Sequence, residues 1–153
     1  MTSCSLSVCL ALLGGIGRFP FAPGTVATVV AGIPFAWVMG LLPLPVGFLM
    51  LALVILVSCY VSDQTEKILK IHDPGAVVID ELAGYLVTMI GLPITVKSLL
   101  LGVVAFRLFD IWKPWPVSLC DQKVNGGLGI VLDDLAAGVF AHLSIWIILQ
   151  LWS

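Results

Sequence analysis

Apolar stretches of membrane-crossing length make up most of this chain, and its charged side chains are confined to the segments and helix ends between those stretches. Hydrophobic residues account for 60% and charged residues for 10% of the 153 positions. A water-soluble domain carries about 25% charged residues because its surface faces water. A chain with so few cannot cover such a surface, so an integral membrane protein is expected. The fold class expected is all-α, a polytopic helical bundle forming one domain over residues 1–153.

Composition removes other classes. Seven Lys and Arg against nine Asp and Glu, a net charge of −2, leave no basic footprint for nucleic acid. Disordered chains are poor in apolar residues, which excludes disorder here. Cys4, Cys9, Cys59 and Cys120 form no Cys-x-x-Cys pair and no metal spacing, so structural disulfides are not expected. The apolar N-terminus, Leu6 to Leu13, has no basic residue ahead of it and reads poorly as a signal peptide. It is short for a span and is expected to be an interfacial or half-inserted helix.

A hydrocarbon core of roughly 30 Å needs about 20 apolar residues of helix. Four to five membrane helices are expected: Thr25 to Gly40, Val46 to Val61, Ala76 to Leu92, Val96 to Trp112, and Gly129 to Trp152. Pro93 closes the third, and the Lys113-Pro114-Trp115-Pro116 stretch stops the fourth. Two polar segments remain, Ser62 to Gly75 and Lys113 to Gly127.

Along this alternating path, every charged residue except Lys97 falls on one side, the side that holds the 62–75 segment. An excess of Lys and Arg marks the cytoplasmic face of a membrane protein, so that side is expected to be cytoplasmic. Asp80 and Glu81 lie near that end of the third helix, Arg107 and Asp110 near that end of the fourth, and Asp133 and Asp134 near that end of the fifth. The Val78-Ile79-Asp80-Glu81-Leu82-Ala83-Gly84 stretch echoes Val131-Leu132-Asp133-Asp134-Leu135-Ala136-Ala137-Gly138, an acid pair followed by a glycine in each case. A glycine there lets a neighbouring helix approach closely.

A carboxylate in the bilayer centre costs about 2.5–3.5 kcal/mol on insertion scales, and less near an interface. A structural ion-pair network, with Arg107 on Asp110 one turn along, explains one or two of these carboxylates. Arg107 and Lys113 cannot neutralise five. The excess calls for a cation, and hard oxygen donors suit Mg²⁺. Asp80, Glu81, Asp110, Asp133 and Asp134 are therefore the candidate metal ligands. Arg107 and Lys113, three residues either side of Asp110, suit a phosphate, although long basic side chains near a helix end also snorkel toward water. Asn125-Gly126-Gly127 ahead of the last helix can cradle an anionic oxygen, although it is not a P-loop, and the same backbone also reads as a flexible turn. Thr25, in Pro23-Gly24-Thr25, sits on the same side and also reads as a helix N-cap. Trp112 and Trp115 read as interface anchors. His142, about 13 Å along the helix from Asp133, lies too deep to join. His72 and Asp73 read as a solvated pair. No Ser or Cys has a neighbouring His to form a triad.

Pro23-Gly24-Thr25, Asp80-Glu81 with Gly84, Phe106-Arg107-x-x-Asp110-x-x-Lys113-Pro114-x-Pro116, and Gly126-Gly127-x-Gly129-Ile130-x-x-Asp133-Asp134-x-x-Ala137-Gly138 together resemble the phosphatidylglycerophosphatase A family over roughly residues 14 to 140. The resemblance implies a bacterial inner-membrane, multi-pass, Mg²⁺-dependent lipid phosphatase with a phospholipid substrate, converting phosphatidylglycerol phosphate to phosphatidylglycerol and inorganic phosphate at the cytoplasmic face. One departure is that Ala27-Thr28 stands where family members often carry a Gly-Ser pair. The roles expected are catalysis by Asp80, Glu81, Asp133 and Asp134, and phosphate binding by Arg107, Lys113, Thr25, Gly126 and Gly127. The expected nucleophile is water activated by the metal, with an aspartate as second choice. A proton- or ion-coupled small transporter is the alternative, since acids within helices also mark proton relays; against it, the charges gather at one face.

Overall fold

A computed structural model describes residues 5–71, 74–115 and 126–151. Among these residues every regular element is helical. A short helix α1 (Leu6–Ala11) leads through a 3₁₀ stretch, Leu13–Arg18, to α2 (Pro23–Ala27), a π-helical turn (Thr28–Gly32) and α3 (Ile33–Leu41). Helices α4 (Leu44–Leu69), α5 (Ile79–Met89), α6 (Val96–Trp112) and α7 (Gly127–Leu151) follow.

Among the described residues, three stretches are long and apolar enough to cross a membrane: Pro23–Leu41, Leu44–Leu69 and Gly127–Leu151. The first carries Pro34, which lacks an N–H and crowds the preceding turn, and the widened π turn just ahead of it accommodates that break. Large apolar side chains such as Leu41, Leu56, Val104 and Leu151 stand exposed around the outside. A water-facing protein of this size does not display such a surface, whereas one bathed in lipid does.

The expected set of four to five spans is corrected in two places. The third expected span, Ala76 to Leu92, is only the 11-residue α5, about 16 Å long at 1.5 Å per residue. Nine of its eleven residues are buried, because protein surrounds it on all sides. A helix wrapped in protein does not need to match the bilayer thickness, and its chain can turn at Ile90–Gly91. The second expected span also continues well past Val61: α4 runs through Ser62 and Thr65, both buried, and ends in a left-handed Lys70. Half of the supposed polar connection is thus helix. The fourth expected span has the bounds of α6, a 17-residue helix that is not one of those three stretches, and its start is fixed by a reciprocal cap: the Ser98 N–H donates to Thr95 Oγ1 (3.1 Å) and the Thr95 N–H to Ser98 Oγ (2.9 Å).

The core lies around α5. Leu82, Tyr85, Leu86 and Met89 pack against Ala137, Ala141 and Ile145 of α7, Leu99 and Phe106 of α6, and Ala36 and Met39 of α3. The small residues of α7 let the helices approach, as membrane bundles require. The glycines of the two echoing stretches meet at this seam: a Cβ on Gly138 would strike the Gly84 carbonyl, and one on Gly84 would lie 2.6 Å from the Asp134 carbonyl oxygen. Thr88 reinforces it by donating to the Gly84 carbonyl (3.1 Å) and lying 3.4 Å from that of Gly138. At the end where α5 begins, α1 is held by the Val78 N–H donating to the Ala11 carbonyl (3.0 Å), with Val8, Ala11 and Leu12 packed on Val61, Val77 and Ile79.

Candidate active site

The seam between α5 and α7 brings two acid pairs together, and α6 closes over them. Asp80 and Glu81 occupy the first turn of α5, where the Glu81 N–H donates to Asp80 Oδ1 (3.0 Å) and helix amides favour negative charge. Arg107 and Asp110 lie in the last turns of α6. Asp133 and Asp134 lie two turns into α7, beside Gly84. Asp80, Glu81, Asp110, Lys113, Asp133 and Asp134 line one cavity of about 140 Å³. A space of that size admits a small group and lies well below the roughly 300–1,000 Å³ of a site for a larger ligand.

Two cations tie the helices across this cavity. Arg107 Nη1 donates both to Glu81 Oε2 of α5 and to Asp110 Oδ2 (2.6 Å). Lys113, the left-handed residue that ends α6, places Nζ 2.6 Å from Asp133 Oδ2 of α7. The expected Arg107–Asp110 pair is therefore present, but it is one arm of a bridge between helices. Among the described residues, five carboxyl groups at this site face these two cations. Asp134 is only 4% exposed and is surrounded by Asp80, Asp110 and Asp133. Its Oδ2 has no hydrogen-bond partner among the described residues.

The donor set fits a hard divalent ion, with one qualification. Among the described residues no three His, Cys, Asp or Glu side chains converge as a ready-made metal cage. The five acids are thus not one preformed ligand set, because Arg107 and Lys113 already engage Glu81, Asp110 and Asp133. Mg²⁺ is ordinarily held by one or two carboxylates, with waters and substrate phosphate completing its shell. Asp134, with a buried oxygen that has no hydrogen-bond partner among the described residues, and Asp80 beside it offer that number of carboxylates.

The other expected residues are placed differently. Gly24 packs directly on the Glu81 carboxylate, where any side chain would collide, so the Pro-Gly-Thr turn abuts the site through its glycine. Sequence reasoning quoted that motif but chose Thr25, which lines an apolar groove together with Arg107. The Thr28 hydroxyl turns back to the Gly24 carbonyl (2.9 Å). Gly126 and Gly127 are not among the described residues lining the cavity; they lie against α4, where a Cβ on Gly127 would run into the backbone of Cys59 and Asp63. Trp112 and Trp115 are exposed at this end. His142 is remote, as expected, with Nδ1 3.1 Å from the Thr88 carbonyl. Cys9 and Cys59 are free thiols. His72, Asp73, Pro116, Cys4, Cys120 and Asn125 lie outside the described residues.

Comparison with known proteins comes to the same point. The family model described as Phosphatidylglycerophosphatase A matches residues 9–149. The phosphatidylglycerophosphatase A of Escherichia coli (strain K12) is 38% identical over 94% of this chain and 83% of its own length. Its Haemophilus influenzae namesake is 32% identical over 94% and 88%. A Bacteroides thetaiotaomicron protein provisionally named phosphatidylinositol-3-phosphatase is 29% identical over 88% and 90%. No solved structure matches the chain at a significant level.

Proposed function

Because the chain belongs to the phosphatidylglycerophosphatase A family and is a phosphatase, we propose that it hydrolyses the terminal phosphomonoester of phosphatidylglycerol phosphate at the membrane interface, with Mg²⁺ as its cofactor. The observation that carries this reading is the acid-lined cavity bridged by Arg107 and Lys113 at one end of an apolar bundle. A phosphomonoester is itself anionic, and like charges a few Å apart repel strongly where water is scarce. Entry into a cavity with more carboxylates than cations therefore calls for a further positive charge. Mg²⁺ held by Asp134 and Asp80 would supply it and offset the charge that builds on the phosphate oxygens during the reaction.

The chain's own residues account for the rest. Arg107 offers five donors in a planar fork, of which Nη1 serves Glu81 and Asp110. Its Nε is buried with no hydrogen-bond partner among the described residues, and it is suited to a phosphate oxygen. Lys113, held by Asp133 at the rim, adds a second positive charge. Attack by water opposite the ester oxygen forms one P–O bond as the other breaks. A carboxylate of the cluster takes the water's proton and passes a proton to the departing glycerol oxygen, giving phosphatidylglycerol and inorganic phosphate. Positioning and charge stabilisation are the main tasks of such a site.

Arg18, Lys67, Lys70, Arg107 and Lys113 fall on one side of the membrane path, which supports a cytoplasmic-facing site in a bacterial inner membrane by the positive-inside rule. The test is phosphate release by the purified chain from phosphatidylglycerol phosphate in detergent micelles, compared with phosphatidic acid and a phosphatidylinositol phosphate. Preferential release from phosphatidylglycerol phosphate is expected. No release from folded, Mg²⁺-supplied protein would overturn the reading, and preference for another lipid phosphate would reassign its headgroup.

A further inference from the structure

The 140 Å³ acid cavity holds a phosphate group but not a lipid, so the rest of any lipid substrate has to lie outside it. Beside it runs a groove of about 660 Å³ along α6, with Thr25 of α2 at its edge. Val104, Leu108, Ile111 and Trp112 form its wall and are all more than half exposed. The charged residue among its described lining is Arg107. The same guanidinium donates to Glu81 and Asp110, which line the acid cavity, so this groove residue is bonded to two of the cavity's acids.

A second apolar groove, between Leu10, Phe35 and Leu53, makes a useful contrast. It encloses about 240 Å³ and carries no charged or polar side chain in its described lining. Any bilayer lipid can cover such a surface. The α6 groove differs in having a cation at the point where it meets the acids, the arrangement that suits an amphiphile with an anionic head and apolar tails.

We propose that the α6 groove seats the acyl-bearing part of the lipid phosphate substrate, with Arg107 as the junction between tail groove and phosphate cavity. The inference rests on the lipid phosphatase reading and adds the route by which the substrate leaves the bilayer for the site. It assigns substrate contact to Val104, Leu108 and Trp112, beyond the charged motifs.

The test places a photo-crosslinking benzoylphenylalanine at Leu108 in the groove or, separately, at Leu53 on the contrasting face. Each protein is irradiated in phosphatidylcholine nanodiscs containing a minor share of a non-hydrolysable phosphonate analogue of phosphatidylglycerol phosphate. Adducts are identified by mass spectrometry. At position 108 the phosphonate lipid should exceed its share of the bilayer by about tenfold, the worth of one good charge-assisted contact. At position 53 it should match its share, and Arg107→Met should abolish the enrichment at 108. Adducts at 108 in the bulk ratio, or enrichment that survives Arg107→Met, would overturn the proposal. Phosphate release by the unlabelled chain is measured in parallel. Release without enrichment refutes the groove alone, whereas absence of both refutes the phosphatase reading beneath it.

Discussion

Replacing Gly84 by alanine tests how the two acid pairs are held in register. A Cβ built at this position lies 2.6 Å from the Asp134 carbonyl oxygen and 2.6 Å from Cε2 of Phe106. Ordinary contact begins near 3.4 Å, so the neighbours have to withdraw by about 0.8 Å. Neither withdraws easily, since one is helix backbone and the other a fully buried ring. Overpacking of this kind costs about 1–3 kcal/mol, and the obvious relief is for α5 and α7 to separate. Separation moves Asp134 relative to Asp80 and Glu81 by nearly the same distance. A displacement of about 1 Å at a reacting site lowers rates by about 10²-fold. The assay is phosphate release in micelles alongside circular dichroism and thermal unfolding. Gly84→Ala should keep its helical spectrum, unfold at lower temperature and lose about 100-fold in kcat/KM. Gly47→Ala is the matched control, because a Cβ there meets its nearest neighbours at 3.4 Å and activity should be unchanged. Wild-type turnover and stability in Gly84→Ala would refute the claim that this crossing sets the site.

Three further outcomes follow from the same geometry. Asp80→Asn and Asp133→Asn, each made separately, should reduce phosphate release to background while the proteins still elute as folded species; near-wild-type rates in both would mean the acids are misassigned. Arg107→Lys keeps a charge for Glu81 and Asp110, which Nη1 alone serves, but removes the Nε assigned to phosphate, and kcat/KM should fall by about 10- to 100-fold; an unchanged rate would show that the guanidinium fork is dispensable. Acid quenching during turnover of substrate labelled in its terminal phosphate should leave no label on the protein; retained label would make an aspartate the nucleophile.

The parts of the fold legible in the sequence are those where a mismatch would be costly. Charge within apolar helix is expensive, so the acids could be assigned to one end of three helices from spacing alone, and they do share one cavity. The bounds of α6 were legible because Thr95 caps its start and Lys113-Pro114 stops it. Hydropathy could not reveal the length of α5, since a helix buried in protein and one buried in lipid have the same apolar composition. Nor could it reveal that α4 continues through Ser62 and Thr65, because polar residues facing protein resemble a loop in sequence. Gly126 and Gly127 were ambiguous for a different reason. Glycine ahead of a helix serves an anion or a close neighbour equally well, and only the fold shows α4 as that neighbour. The cross-helix partners, Arg107 with Glu81 and Lys113 with Asp133, are separated by 26 and 20 residues, so no local spacing could pair them.

The central claim is that the carboxylate cluster is where a divalent cation and a lipid phosphate meet. Phosphate release from phosphatidylglycerol phosphate, measured with Mg²⁺, then with EDTA, then with Mg²⁺ restored, tests it most directly when Asp134→Asn is run beside the wild-type chain. EDTA is expected to abolish wild-type release, Mg²⁺ to restore it, and Asp134→Asn to stay at background at every Mg²⁺ concentration. Release that persists in EDTA, or an Asp134→Asn protein that responds to Mg²⁺ like the wild type, would contradict it.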